Sequence, residues 1–245
     1  MDTVMRIEIL LLLLAMLPWP PRFSGGPEEQ SRPDRSRAAR EQMVATQIAA
    51  RDIKDPRVLA AMRQVPRHLF VPSGDQESAY DDRPLPIGHG QTISQPYIVA
   101  LMTELAKPDA TDRALEIGTG SGYQAAVLST LVAEVFTIEI VEPLAREARA
   151  RLADLGYKNV VARVGDGYGG WPEQAPFDLI VVTAAPDHVP PALIAQLKPG
   201  GRLVIPVGPV LSIQELQVIQ KDSSGKTRTE HIIPVRFVPL RRDGE

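Results

Sequence analysis

The sequence has no cysteine and only four histidines. Without cysteine, the chain can form no disulfide, supply no thiolate nucleophile and bind no zinc through sulfur. The histidines are His68, His89, His188 and His231, and they are too scattered along the chain to indicate a histidine metal site. No metal cofactor is therefore expected.

Aromatic residues are also scarce, at 5% of the chain, and the formal net charge is −3. Few aromatic rings argue against a base-stacking platform, and a slightly negative chain lacks the positive charge that binds nucleic acid. The apolar run at residues 9–17 is shorter than the ~20 residues that a membrane-spanning helix needs. Neither a nucleic-acid partner nor stable membrane association is expected.

Residues 1–36 form a predicted N-terminal extension, and residues 37–245 a single predicted domain, because only one candidate core is present. Residues 9–17 have the length of the apolar region of a signal peptide. However, Arg6 is the only basic residue ahead of them, and the prolines that follow are a poor lead-in to a cleavage site. A signal peptide is therefore an alternative, and residues 24–40, rich in glycine, proline and arginine, are predicted to be a disordered linker.

From residue 113 onward, predicted strands and helices alternate, which is typical of a doubly wound, mostly parallel sheet. The strands are predicted at residues 113–117, 134–138, 160–164, 177–182 and 202–207, and the helices at 122–131, 143–155 and 190–197. Two more strands, at 213–220 and 232–240, predict an antiparallel C-terminal ending. Apolar residues at helical spacing, together with Asp55 followed by Pro56, predict extra N-terminal helices. The predicted fold class is α/β.

A glycine-rich segment at residues 114–123 has the pattern of a buried strand, a tight turn and a helix start. Gly118, Gly120 and Gly122 stand at alternate positions. Glycines in such a turn let a ligand lie against the main chain, near the positive end of the following helix. The dinucleotide fingerprint would need its third glycine at the position of Tyr123, so the pattern for binding NAD is not met.

Acidic residues follow the next two predicted strands. Glu139 ends the second strand, 21 residues after Gly118 and near the ~20-residue offset at which an acid binds the ribose of a nucleotide cofactor. Asp166 and Gly167 follow the third strand. Asp166 is also consistent with a turn residue that accepts a hydrogen bond from its own backbone. Because the carboxyl ends of parallel strands meet at one edge, these residues are predicted to share a site with Gly118.

Five segments together resemble the protein-L-isoaspartate O-methyltransferase family. They are V-P-R-H-L-F-V-P at 65–72, Q-T-I-S-Q-P at 91–96, L-E-I-G-T-G-S-G-Y at 115–123, L-K-P-G-G-R-L at 197–203 and V-R-F-V-P-L at 235–240. The T-I-S-x-P piece discriminates this family from other methyltransferases. The resemblance runs from about Arg37 to Leu240 and implies a Rossmann-like methyltransferase fold, with S-adenosylmethionine as the methyl donor.

The resemblance also implies the reaction and the residues that support it. The family methylates the α-carboxylate of L-isoaspartyl residues in damaged proteins and peptides, which begins their repair. A carboxylate is already ionised at pH 7, so no general base is required. The residues implied to bind the cofactor are Gly118, Gly120, Gly122, Glu139, Asp166 and Gly167.

Ser94 aligns with the family's active-site serine and is the predicted catalytic residue. We expect its hydroxyl to donate to the isoaspartyl carboxylate. Ser94 also stands just ahead of Pro96 and is a candidate N-cap for the following helix. His89 is an alternative polar contact. Animal members of the family carry a histidine after the T-I-S-x-P piece, and this sequence has no histidine there. The contacts of that histidine are therefore not assigned to any residue of this chain.

Two alternatives remain open. The chain could be another methyltransferase of this fold that acts on a small-molecule oxygen or nitrogen, or a domain that only binds S-adenosylmethionine. The loop at residues 183–186 lacks the Asn/Asp-Pro-Pro-Tyr/Phe motif of methyltransferases that act on adenine or glutamine amides. The protein is expected to be a monomer, and its expected partners are proteins and peptides that contain isoaspartyl residues. A cytoplasmic location is favoured over the periplasm, because S-adenosylmethionine is not made outside the cytoplasm.

Overall fold

Helices precede the sheet, as the sequence predicts. The computed structural model describes residues 35–210 and 212–244, so the predictions for a signal peptide and for most of the linker lie outside the described residues. Helix α1, Arg35–Met43, continues into a π-helical turn, Val44–Ala49. Helix α2, Pro56–Gln64, begins as predicted, because Asp55 accepts a hydrogen bond from the amide of Arg57.

In the chain, a small hairpin follows the first two helices. Strands β1, Leu85–Gly88, and β2, Gln91–Ile93, pair in antiparallel fashion. The turn is possible because Gly88, His89 and Gly90 all have positive φ, at 88°, 52° and 71°. Helix α3, Pro96–Ala106, follows at once and is buried along most of its length.

The central sheet has seven strands in the order β5-β4-β3-β6-β7-β8-β9. Strands β3 to β7 are parallel, and β8 and β9 add antiparallel pairs, which confirms the predicted fold class. The strands are β3 Arg113–Ile117, β4 Glu134–Glu139, β5 Val160–Val164, β6 Phe177–Val182, β7 Leu197–Val207, β8 Gln214–Lys221 and β9 Thr227–Val235. Helices α4 Tyr123–Ser129, α5 Glu142–Asp154 and α6 Pro191–Gln196 connect them.

Strands β7 and β9 differ from the prediction by five residues, whereas the bounds of β4 and β8 differ by one. Strand β7 begins at Leu197 rather than 202, because its glycines let the chain run beside β6; a Cβ at Gly201 would lie 2.7 Å from the carbonyl oxygen of Asp178. Strand β9 lies at Thr227–Val235 rather than 232–240. The chain leaves the sheet after Val235 because its backbone bonds to Ala185 instead, through Val238 and Leu240.

The sheet separates two apolar layers. In β3, Ala114 packs into the layer that contains the N-terminal helices, whereas Leu115 and Ile117 pack into the layer on the opposite face. Because both faces are filled with apolar side chains, the ligand-accessible polar groups lie at the carboxyl ends of the strands. Within residues 35–210 and 212–244, no helix combines the length and apolarity that crossing a bilayer requires.

Candidate active site

The glycine turn after β3 forms one wall of a cavity. Gly118 and Gly120 have positive φ, at 95° and 51°. Together with Glu139 and Gly167 they line this space, which we call the glycine cavity. A Cβ at Gly167 would lie 2.2 Å from a side-chain carbon of Ile117, so only glycine fits there. The structure therefore brings four of the predicted cofactor-binding residues together.

Gly122 and Asp166, the other two residues predicted to bind the cofactor, make contacts outside the glycine cavity. A Cβ at Gly122 would lie 3.1 Å from Leu152, so this glycine lets α4 approach α5 closely. The Oδ1 atom of Asp166 accepts a hydrogen bond from the amide of Tyr168 at 2.7 Å and caps a short 3₁₀ turn. Neither residue lines the glycine cavity. A role for either in binding a cofactor remains a prediction.

The carboxylate of Glu139 is held in place by the backbone. Its Oε2 accepts from the amide of Gly120 at 2.8 Å, and its Oε1 accepts from the amide of Val141 at 2.9 Å. The side chain is buried and borders the glycine cavity. Each carboxylate oxygen can accept a second hydrogen bond, so Glu139 is a fixed acceptor for hydroxyl groups.

Two buried acceptors next to the glycine turn were not assigned a role from the sequence. Glu116 is fully buried, and burial raises the pKa of its carboxyl to about 8. Its Oε2 accepts from the hydroxyl of Thr137, while its Oε1 has no hydrogen-bond partner in the described part of the chain. The Oε1 of Gln124 is likewise buried without a partner there. The only available signal was an acid in an otherwise apolar strand.

Glu116 and Gln124 line a second space, the connecting cavity, which also borders Ser94, Gly118 and Thr183. Ser94 is half-buried, and among the residues that the structure describes its hydroxyl makes no hydrogen bond. The N-cap prediction for Ser94 is wrong. Helix α3 has Gln95 at its N-cap, because the helix begins one residue later than a Ser94 cap requires, and no side chain caps it.

A third space, the serine cavity, has a volume of about 410 Å³. Its wall includes Ser94, Thr183 and Arg236, and Arg236 is its only charged residue. The remaining wall is mainly apolar, and its large side chains are Ile98, Ile213 and Phe237. His89 lines none of the three cavities, since it lies at the tip of the β1–β2 hairpin.

Thr183 connects the three cavities. It follows β6 and lines the glycine, connecting and serine cavities alike. Thr92, on β2, also lines all three. Neither residue was assigned a role from the sequence, although Thr183 is predicted to lie at the carboxyl end of the fourth strand, where ligands bind. The cavities meet beside Ser94 and the glycine turn, so two ligands can approach each other there.

The chain matches a known protein family along most of its length. The model of the family Protein-L-isoaspartate(D-aspartate) O-methyltransferase (PCMT) matches residues 38–245. A Protein-L-isoaspartate O-methyltransferase of Opitutus terrae is 61% identical over 204 residues, covering 83% of this chain and 87% of that protein. A Protein-L-isoaspartate O-methyltransferase 1 of Cupriavidus necator is 58% identical over 212 residues, covering 85% and 82%.

Solved structures resemble the chain as well. One protein-L-isoaspartate O-methyltransferase has a TM-score of 0.73 at 30% identity; the match covers 83% of this chain and 65% of that one. A Plasmodium falciparum protein described as the same enzyme, in complex with S-adenosyl-L-homocysteine, has a TM-score of 0.71 at 25% identity, covering 83% and 99%. The chain therefore belongs to the protein-L-isoaspartate(D-aspartate) O-methyltransferase family.

Proposed function

We propose that the protein transfers a methyl group from S-adenosylmethionine to the α-carboxylate of L-isoaspartyl residues in damaged proteins and peptides. The resulting ester can collapse to a succinimide and reopen as aspartate, which begins repair. The observation that carries this proposal is that the glycine and serine cavities meet at Thr183, close to the hydroxyl of Ser94. A donor and an acceptor can therefore lie side by side. Membership of the family supports the assignment of S-adenosylmethionine as the donor and of the isoaspartyl carboxylate as the acceptor.

The residues present fit S-adenosylmethionine. The buried Oε1 atoms of Glu116 and Gln124 lack partners among the described residues, and the ammonium group of the methionine portion would satisfy both. Gly118 and Gly120 leave room against the backbone, and Glu139 would accept from the ribose hydroxyls. When bound, S-adenosylmethionine supplies a methyl group made electrophilic by the sulfonium.

The residues around the acceptor position it rather than activate it. An α-carboxylate has a reference pKa of about 3.5, so it is ionised at pH 7 and needs no base. The hydroxyl of Ser94 would donate to one carboxylate oxygen and leave the other oxygen free to attack. Arg236 would attract the negative acceptor into the serine cavity, and the bound substrate would displace water from the apolar wall. Alignment of the reacting atoms then supplies most of the rate increase.

The test is transfer of labelled methyl to an isoaspartyl peptide and to its normal aspartyl counterpart. We expect label on the isoaspartyl peptide alone, and its release in base as the mark of an ester. Equal labelling of the two peptides, or label that resists base, would contradict the proposal. Binding of S-adenosylhomocysteine without any transfer would indicate a domain that only binds the cofactor.

We further propose that the protein acts as a monomer in the cytoplasm, where its methyl donor is made. Light scattering at micromolar protein concentration tests whether the protein is a monomer, and a dimer mass would contradict the proposal. N-terminal sequencing of the natural protein tests its location. A mature chain that begins after residues 9–17 would instead indicate export.

A further inference from the structure

We propose that the serine cavity contains a subsite for an apolar side chain next to the isoaspartyl residue, and that Ile213 forms its wall. This subsite rests on the proposed function, because it extends the acceptor site of that reaction. It would make the enzyme select among damaged sites by their neighbouring residue, in addition to recognising the isoaspartyl group.

The serine cavity is larger than the acceptor group requires. Its volume is about 410 Å³, whereas a water molecule takes ~30 Å³ of liquid. A carboxylate of three heavy atoms beside Ser94 therefore occupies only a small part of it. The rest of the wall is mainly apolar, with few polar groups, as in most binding sites for organic ligands. The unused space thus suits a carbon side chain.

Ile213 is unusually exposed for its type. Its relative accessibility is 63%, the highest among the large hydrophobic residues that the structure describes. Ile213 lines the cavity together with Ile98 and Phe237. Covering an isoleucine with another apolar side chain removes both surfaces from water and is favourable. The bound substrate would provide that cover.

Hydrogen bonds fix the backbone on one side of Ile213. The next residue, Gln214, pairs with Val235 at the end of β9. The buried side chain of Gln214 accepts from the amide of Phe237 at 2.9 Å. These contacts join the start of β8 to the chain that leaves β9, and so hold Ile213 beside Phe237. A rigid wall can discriminate between side chains, whereas a loose one would adapt to all of them.

The positive charge of Arg236 affects which neighbouring side chain of the substrate can bind in the serine cavity. A lysine neighbour could lay its carbon chain on Ile213, but its ammonium would meet Arg236, the only charged residue of the wall. In the described part of the chain, Arg236 has no ion-pair partner that would offset this repulsion. A lysine neighbour is therefore disfavoured relative to an apolar side chain such as leucine, which the apolar wall suits.

The experiment compares isoaspartyl peptides that differ only in one neighbour, which is leucine, serine or lysine, placed before or after the isoaspartyl residue. In at least one of the two positions, we expect the KM of the leucine peptide to be about 5- to 10-fold below that of the serine peptide, and the lysine peptide to bind least well. The variant Ile213→Thr should bring the leucine-to-serine ratio close to 1.

Val210→Thr is the matched control. Val210 lies three residues away, is 57% exposed and does not line the cavity, so this variant should keep the wild-type ratio. Calorimetric binding of S-adenosylhomocysteine checks that both variants are folded. Equal KM for leucine and serine peptides, or a ratio that survives Ile213→Thr, would overturn the subsite alone. Absence of transfer to every isoaspartyl peptide would overturn the proposed function and the subsite with it.

Discussion

The hydroxyl of Thr183 lies 2.6 Å from the carbonyl oxygen of Gly118, in the space that a side chain at residue 118 would need. A Cβ on Gly118 would lie 2.5 Å from that hydroxyl oxygen. The two residues directly follow the neighbouring strands β3 and β6, and their contact joins the glycine turn to the wall of the serine cavity. A change in the glycine turn would therefore also change the shape of the serine cavity.

Thr183→Val should weaken cofactor binding. Valine keeps the shape of threonine but cannot donate to Gly118, so the turn loses one of its fixed contacts. We expect the affinity for S-adenosylhomocysteine to fall about 5- to 10-fold, which corresponds to ~1 kcal/mol. Thr183→Ser keeps the donor and should bind nearly as well as wild type. Equal weakening by both variants, measured by calorimetry, would point to packing rather than to the hydrogen bond.

Ser94→Ala should impair methyl transfer but not cofactor binding. The variant removes the hydroxyl that we propose donates to the acceptor carboxylate, a bond worth ~1.5–3 kcal/mol. We expect kcat/KM on an isoaspartyl peptide to fall roughly 10- to 150-fold, measured by labelled methyl transfer. Ser223→Ala, in the exposed turn before β9, is the control and should be fully active. Full turnover by Ser94→Ala would remove this serine from the mechanism.

Glu139→Ala should weaken the binding of S-adenosylmethionine about 10- to 100-fold, because it removes both the proposed ribose acceptor and the bond to Gly120. The fold should persist, as judged by circular dichroism. Glu134→Ala provides the comparison, since Glu134 begins the same strand, is half exposed and pairs with Arg113 at the surface. Unchanged affinity in Glu139→Ala would exclude this residue from the site.

The buried carboxyl of Glu116 should make stability depend on pH. Burial raises its pKa to about 8 in the folded protein, whereas the unfolded value is near 4.5. Between these values the folded state holds a proton that the unfolded state has lost, so stability falls as pH rises from about 4.5 to 8 and levels off above 8. Glu116→Gln should reduce this slope in urea unfolding. An identical slope in the variant would mean that Glu116 is ionised in the folded protein.

Cofactor binding should in turn release a proton from Glu116. An ammonium group beside its Oε1 favours the charged form and lowers the pKa of the carboxyl. The affinity for S-adenosylhomocysteine should therefore increase from about pH 6 to pH 8. Calorimetry at pH 7 in two buffers of different ionisation enthalpy measures the release directly. We expect release in wild type and none in Glu116→Gln; equal release in both would assign the proton to another group.

Several features of the site were predictable because they depend on short stretches of sequence. The spacing of Gly118 and Gly120 reports a backbone conformation that other residues seldom adopt, and the position of Glu139 follows from the end of a strand. The prediction for Ser94 as an N-cap failed because it assumed where α3 begins. A shift of one residue gives that position to Gln95, which does not cap with its side chain.

By itself, the sequence determined the α/β class and the turn after β3, because periodicity and glycine spacing are local properties of the chain. The resemblance of five short segments indicated the family. Only the tertiary structure decided that Thr183 fills the space beside Gly118 and that Ile213 lines the serine cavity. It also decided that Glu116 and Gln124 each keep an acceptor atom without a partner among the described residues. These relationships arise from packing between segments far apart in the chain. Such packing depends on the three-dimensional arrangement of strands, and no local pattern encodes it.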